Sequence, residues 1–304
     1  MKKIKFTNKN LRFFVSFFIY GFVIFFLFSF LFKISNKDEN KHNIVTSKNK
    51  KENKKENKNK IDISKLDFEI KVGNPKKVIS DKEIMDALLK SEDEDIKYIL
   101  KNKDKLDDSY FRLLYNNISA KFFIKDLLEN KSIDYYIGES VPFKRKIPYY
   151  LQWDRRWGNK VYGKFNIATG GCAPTSMAMV ISGLLKDHNI TPIDLAKYQD
   201  YVDDFGTDWG YFINVANFYG IYGRVINKDK ELYKEELKKS HPIILNVKPG
   251  DFTSVGHYIV LVDVDKEGMF IVNDPNSPKN SNCKWSFERL SPQIKQSWVF
   301  SKKE

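Results

Sequence analysis

Cysteine and histidine are scarce in this chain, which has two Cys and four His among its 304 residues. Two cysteines cannot build a disulfide-dense scaffold. The sequence contains no C-x-x-C and no H-E-x-x-H, so the common zinc motifs are absent, and it contains no G-x-x-x-x-G-K-[ST], which argues against a P-loop NTPase. We therefore expect no metal ion and no cofactor.

Excess positive charge is lacking over most of the chain, although the formal net charge is +13. Residues 1–60 hold 15 Lys or Arg and 4 Asp or Glu, a balance of +11, which leaves only +2 for residues 61–304. A nucleic-acid-binding domain concentrates basic residues on its folded surface. The distribution therefore predicts no nucleic-acid partner.

One long run, from Phe13 to Phe32, has no charged residue. At 1.5 Å per residue, such a run matches the roughly 30 Å hydrocarbon core of a bilayer. A cleaved signal peptide is the alternative, but the run is longer than usual and ends at Lys33 without a small-residue cleavage site. Five Lys or Arg precede the run and three lie in the fifteen residues after it, which favours a cytoplasmic N-terminus and an extracellular C-terminal domain. We assign residues 1–34 as tail and transmembrane anchor.

Two further segments precede the candidate site. Residues 35–77 are rich in Lys, Asn and Glu and have few apolar residues, which predicts a basic disordered linker. That linker is either a solvated spacer or a binding site for anionic lipid or a wall polymer. Residues 78–140 read as a helical segment, with capping-box spacings at Ser80/Glu83 and Ser91/Glu94. We find no chemistry in this segment, and we begin the last domain at residue 141, next to Pro142.

The first candidate for a catalytic residue is Cys172, which lies in the stretch T-G-G-C-A-P-T-S-M-A-M-V at residues 169–180. Pro174 suits the first turn of a helix, and Met177 and Val180 begin an apolar face at helical spacing. Cys172 is therefore predicted at a helix N-terminus, where the dipole and the N–H groups favour a thiolate. The alternative is an ordinary buried cysteine.

His257 lies in a predicted β-hairpin, V-G-H-Y-I-V-L-V-D-V-D-K-E-G-M-F-I-V-N-D-P. If Val264 pairs with Met269, Asp274 is a same-face diagonal neighbour of His257. A bulge or a three-residue loop would exchange Asp274 for Asn273. The register in which Val264 pairs with Met269 places a candidate base, His257, beside a carboxylate that can orient it. The alternative is a core histidine that is hydrogen-bonded to backbone.

The same hairpin partly matches a calcium-binding loop through Asp263, Asp265, Glu267, Gly268 and Asp274. Glu at position 5 and Asp at position 12 depart from the pattern, and the flanking residues are typical of strands rather than helices. We therefore favour the catalytic interpretation of Asp274 over a calcium site.

Residues 147–300 resemble the bacterial peptidase C39-like family of papain-like cysteine peptidases. The resemblance is carried by I-P-Y-Y-L-Q-W-D-R-R-W-G, G-G-C-A-P-T-S-M-A-M-V, P-G-D-F-T-S-V-G-H-Y-I-V-L-V-D-V-D, V-N-D-P-N-S and the closing S-W-V-F. It implies a Cys172 nucleophile, a His257 base, an Asp274 orienting acid and a Gln152 oxyanion-hole donor. Ala173 replaces the glycine that is usual in the family.

The resemblance implies an α+β, papain-like fold for residues 141–304, with the Cys172 helix packed on an antiparallel sheet. Hydrophobic strands are predicted at His241–Val247, Tyr258–Val262 and Met269–Val272. Aromatic candidates for lining a cleft are Trp153, Trp157, Trp209 and Phe252. Cys283 lies in a polar stretch and is interpreted as an incidental thiol; a disulfide with Cys172 is the alternative.

The leading functional hypothesis is a membrane-anchored, extracytoplasmic cysteine peptidase acting on a peptide or protein substrate. A cell-wall amidase or transpeptidase would use the same three residues on a different bond or acceptor. A peptide-binding module that retains the fold without catalysis is the hypothesis from another class.

Overall fold

The computed structural model of the chain describes residues 79–131, 133, 135–204 and 206–303. No helix within these ranges has both the length and the apolar character needed to cross a membrane. The predicted span from Phe13 to Phe32 and the predicted linker at residues 35–77 lie outside the described residues.

Four α-helices occupy residues 79–131: α1 (Asp81–Leu88), α2 (Glu94–Lys101), α3 (Asp108–Asn116) and α4 (Lys121–Leu128). The capping box predicted from Ser80 and Glu83 is confirmed. At α2 the prediction was wrong, because the carboxylate of Asp93 accepts from two amides of the first turn and makes Asp93 the N-cap. The hydroxyl of Ser91 accepts from the Asp93 amide instead. The last of these four helices, α4, ends at Leu128, well before the predicted end of the helical segment at residue 140.

Downstream of Pro142, α-helices and strands are interspersed along the chain. In chain order they are β1 (Val161–Tyr162), β2 (Phe165–Asn166), α5 (Ile167–Gly170), α6 (Cys172–Leu185), α7 (Pro192–Leu195), β3 (Val202–Asp203), β4 (Gly206–Thr207), α8 (Gly210–Phe218), β5 (Ile221–Val225), α9 (Lys230–Lys238), β6 (Ile243–Val247), β7 (His257–Val264), β8 (Phe270–Asn273), α10 (Pro278–Asn282), β9 (Lys284–Trp285), α11 (Phe287–Leu290) and β10 (Ile294–Lys302).

The main sheet is antiparallel and has the strand order β5-β10-β6-β7-β8-β9. Its strands β6, β7 and β8 are the three hydrophobic strands predicted from the sequence, with ends that differ by one or two residues. The predicted class, mixed helices with an antiparallel sheet, is therefore confirmed.

The two faces of the sheet cover separate clusters of buried side chains. Ile244 packs into the cluster that contains α6, whereas Ile243 and Leu245 pack into the cluster beneath α9. This alternation follows from the two-residue period of a strand. The α6 cluster also takes in Phe123 of α4, so the helical segment and the Cys172 helix share one core. The helical segment is thus held in place next to the candidate site.

Candidate active site

Cys172 is the first residue of α6, as predicted, and Gly171 separates it from the single turn of α5. A Cβ atom at position 171 would lie 2.5 Å from the carbonyl oxygen of Ile167, so only glycine fits there. The close approach of the two helical turns therefore depends on this glycine. It places the thiol at a helix N-terminus, where a negative charge is favoured.

His257 is the first residue of β7 and pairs with Val247 of β6. Its side chain is buried, with the residue 6% exposed. Its Nε2 atom lies 2.8 Å from Oδ1 of Asp274, and Cys172 is near enough to the ring to contribute to the raised pKa of His257. Because Asp274 occupies Nε2, Nδ1 is the ring nitrogen left for the thiol. Three residues predicted from distant stretches therefore converge.

The turn of the hairpin differs from its predicted register. Val264 pairs with Phe270, not with Met269 as predicted. The structure also contains a register shift, of the kind a β-bulge produces, between Leu261 and Asp263. Each difference alone would displace the pairing by one residue and exchange the faces of β8.

The two differences cancel before the strands reach the site. Val260 pairs with Asn273, which is the predicted register at this end of the hairpin. Asp274 therefore meets His257, and the side chain of Asn273 is directed elsewhere, with its Nδ2 3.2 Å from the Pro148 carbonyl oxygen. Together, the bulge and the altered turn leave Asp274, and not Asn273, facing the imidazole of His257.

Asp274 is fully buried and held by several polar partners. Oδ1 also accepts from the backbone amide of Asn276 at 2.9 Å, and Oδ2 accepts from Nδ2 of Asn280 at 2.8 Å. The Asp274 amide donates to Oγ of Ser281 at 2.8 Å. Asn280 was not identified from the sequence, because nothing in a polar stretch indicates which amide turns back onto Asp274. These contacts fix the carboxylate that faces His257.

The electrostatics of the site favour a charged imidazole. Burial disfavours the imidazolium, but the charge and hydrogen bond of Asp274 outweigh burial. With a further contribution from Cys172, they raise the pKa of His257 to about 10. The imidazole therefore holds its proton at neutral pH, and it can stabilise a thiolate beside it.

Gln152 lines the same cavity as Cys172. Its backbone amide donates to the Pro275 carbonyl oxygen at 2.8 Å, and its Nε2 donates to the Ala168 carbonyl oxygen at 2.7 Å. Exchanging the amide atoms would set two oxygens against each other, so Nε2 faces Ala168. Oε1 is buried without a hydrogen-bond partner in the described part of the chain. The bond to Ala168 uses one of the two Nε2 hydrogens.

The cavity has a volume of about 380 Å³, and Cys172, His257 and Gln152 open onto it. One wall is the loop at residues 252–256, which includes the predicted Phe252. Other lining residues come from α1 and α3, a segment in which no chemistry was predicted from the sequence. The three tryptophans predicted as cleft candidates are not among the residues described as lining this cavity: Trp153 and Trp157 are buried in the core, whereas Trp209 is 41% exposed.

Cys283 and Cys172 are both free thiols, so the alternative of a disulfide between them is not realised. Sγ of Cys283 lies 3.3 Å from the Lys279 carbonyl oxygen, and burial raises the pKa of this thiol. The partial calcium pattern lies on strands β7 and β8 and their turn. Within the described ranges, no group of three or more His, Cys, Asp or Glu could hold a metal ion.

Comparison with known proteins gives a family and several similar folds. The sequence model of the family described as "Peptidase_C39 like family" matches residues 144–303. Similar solved structures include the peptidase domain of Streptococcus ComA, a bifunctional ABC transporter involved in quorum sensing, at 20% identity and a TM-score of 0.37, covering 44% of this chain and 93% of that chain.

Two other solved structures are similar to this chain. A C39-like peptidase from Bacillus anthracis is 16% identical with a TM-score of 0.38, covering 52% of this chain and 96% of that chain. A double-glycine motif protease from an AMS/PCAT transporter, in complex with its leader peptide, is 17% identical with a TM-score of 0.32, covering 43% of this chain and 86% of that chain. No curated protein matches the chain.

Proposed function

The chain belongs to the Peptidase_C39 like family, and from this membership we propose that it is a cysteine peptidase that uses Cys172, His257 and Asp274. One observation carries the proposal: His257 lines the same cavity as Cys172, and its imidazole is hydrogen-bonded to the Asp274 carboxylate at 2.8 Å. A nucleophile, a base and an orienting group in contact are the parts that covalent acyl transfer needs.

The chemistry follows from the protonation of His257. The imidazolium stabilises the Cys172 thiolate, which attacks the carbonyl carbon of the scissile amide and forms a C–S bond. As the tetrahedral intermediate collapses, the imidazolium gives its proton to the leaving nitrogen and the C–N bond breaks. Water, deprotonated by the neutral imidazole, then hydrolyses the thioester and releases the acid product.

The negative charge on the substrate oxygen needs donors that are already in position. The second Nε2 hydrogen of Gln152 and the backbone N–H of Cys172 are our candidates for this oxyanion hole. The hydrogen bond from Nε2 to the Ala168 carbonyl oxygen holds the amide in one orientation. Loss of one such donor typically lowers kcat by about 10²–10³.

We expect the full chain to cleave peptides in a Cys172-dependent manner. The Cys172→Ala variant should lose about 10³-fold or more of the wild-type rate, because no other group in the site forms the thioester. The measurement is the release of new amino groups from a mixed-sequence peptide library, followed by mass spectrometry of the products.

Cys283→Ala is the matched control, because it removes the other thiol and should leave cleavage intact. Muropeptides and amine acceptors are tested in parallel assays. If only these are converted and no peptide is hydrolysed, the chain is a cell-wall amidase or a transpeptidase and not a peptidase. Peptide binding without any turnover would support a catalytically inactive binding module instead. Cleavage that survives Cys172→Ala would contradict the proposed mechanism.

Location is a further part of the proposal, and it rests on the uncharged run from Phe13 to Phe32. We propose a single membrane-spanning anchor with a cytoplasmic N-terminus and an extracellular C-terminal domain. The chain should remain in the membrane pellet after an alkaline carbonate wash, and deletion of residues 13–32 should release it. External protease should digest the C-terminal domain in intact cells. A shortened, soluble product that begins after this run would identify a cleaved signal peptide instead.

A further inference from the structure

We propose that helices α1 and α3 form a substrate-recognition wall and that Arg112 binds a carboxylate of the peptide substrate. The inference rests on the proposed peptidase function and adds a substrate class to it: peptides with Asp or Glu near the scissile bond. The helical wall consists of the cavity-lining residues Ile84, Ser109, Arg112, Leu113, Tyr115 and Asn116.

The helical wall faces the same cavity as the reactive groups. Its residues line this cavity together with Cys172, His257 and the loop at residues 252–256. A peptide that presents its carbonyl to Cys172 in this cavity therefore comes close to both α3 and that loop. The helical segment is placed to contact substrate as well as to complete the core.

The helical segment that carries this wall is held relative to Cys172 by two polar contacts, one from α3 and one from α4. Tyr110 on α3 accepts a hydrogen bond from Asn166, and Asn166 is the N-cap of α5, the turn that leads into Cys172. Farther along, Asp126 forms an ion pair with Arg155. A binding group mounted on α3 is therefore held at a defined place beside the thiol, as precise recognition requires.

The charged side chains that line the cavity determine which substrate side chains it favours. No Asp, Glu or Lys is among the residues described as lining the cavity, and Arg112 contributes a guanidinium there. A guanidinium presents five N–H donors in a planar fork that matches a carboxylate. An acidic side chain is therefore the complement of this wall, whereas a basic side chain would meet a like charge.

The present partner of Arg112 is easily displaced. Its Nη2 atom lies 2.6 Å from Oδ1 of Asp81, and the two side chains are 39% and 47% exposed. Ion pairs this exposed contribute little to stability. A substrate carboxylate that is partly shielded from water in the cavity can join or replace Asp81 at small cost.

Paired peptides that differ only by Glu or Gln test the inference. The pairs place the residue at each position on both sides of a bond that the full chain cleaves, and kcat and KM are measured separately. We expect a Glu-over-Gln preference in kcat/KM at one position, expressed mainly in KM. Arg112→Gln should lower that preference about tenfold or more, as expected for a charge-assisted hydrogen bond, and Arg112→Lys should lower it less.

Asp81→Asn is the matched control, because it breaks the same ion pair and keeps the guanidinium. If Arg112 binds substrate, Asp81→Asn keeps or increases the preference for Glu. If Arg112 only supports α1, Asp81→Asn and Arg112→Gln act alike, and the inference is overturned. Cysteine-dependent cleavage without an Arg112-dependent preference also overturns it but spares the proposed function. If no peptide is cleaved in a Cys172-dependent manner, both fail.

Discussion

We expect His257→Ala to lower kcat/KM for peptide cleavage by about 10³-fold or more at pH 7. In the proposed mechanism, the imidazole supplies the charge that stabilises the Cys172 thiolate and the proton that the leaving nitrogen takes. Alanine supplies neither, and it leaves the carboxylate of Asp274 buried without the imidazole that pairs with it. The same variant should lose the selective reaction of Cys172 with iodoacetamide. Initial rates of cleavage and peptide mapping of the alkylated chain measure the two effects.

His241→Ala is a matched control for this prediction. Nδ1 of His241 lies 2.8 Å from Oε2 of Glu236, so the chain contains a second His–carboxylate pair at the same distance. His241 is not among the residues lining the Cys172 cavity. Cleavage and Cys172 alkylation should both survive its replacement. Retention of both by His257→Ala would contradict the mechanism.

Much of the candidate site could be predicted because its groups lie at the ends of regular elements. Pro174 and the apolar spacing after it placed Cys172 at a helix start, and hairpin parity placed Asp274 beside His257. The parity was correct only because a turn difference and a bulge offset each other. Bulges depend on packing across the sheet, which a single strand sequence does not record.

The helical wall could not be predicted, because its position depends on tertiary docking. The amphipathic spacing of α3 identifies a buried face, yet it does not identify what that face covers. Asn117 meets Asn276 across 159 positions of sequence, and no local pattern encodes such a contact. Edge strand β5 and the long strand β10 were missed as well; the stretch Ile221–Val225 contains a glycine and an arginine, which weaken its strand signal.

The second large effect concerns Asp274→Asn, which should move the alkaline limb of kcat/KM to lower pH by about one unit or more. In the wild type, the raised pKa keeps His257 protonated until the pH approaches about 10. Asparagine can still accept from Nε2, but it removes the charge that opposes burial, so the pKa of His257 falls. Imidazolium, and with it the rate, is then lost at a lower pH. A kcat/KM profile from pH 5 to 10.5 measures the limb.

Stability gives an independent measure of the same charge. A histidine whose pKa is raised on folding stabilises the native state fully below its unfolded pKa of roughly 6.5, and this stabilisation disappears as the pH rises through the raised value. The free energy of unfolding should therefore decline between these limits more steeply in the wild type than in Asp274→Asn. Asn280→Ala, which loosens the carboxylate without removing its charge, should keep the wild-type limb. If the limb of Asp274→Asn matched that of the wild type, the carboxylate would not be the group that keeps His257 charged, and the ion-pair mechanism would lose its basis.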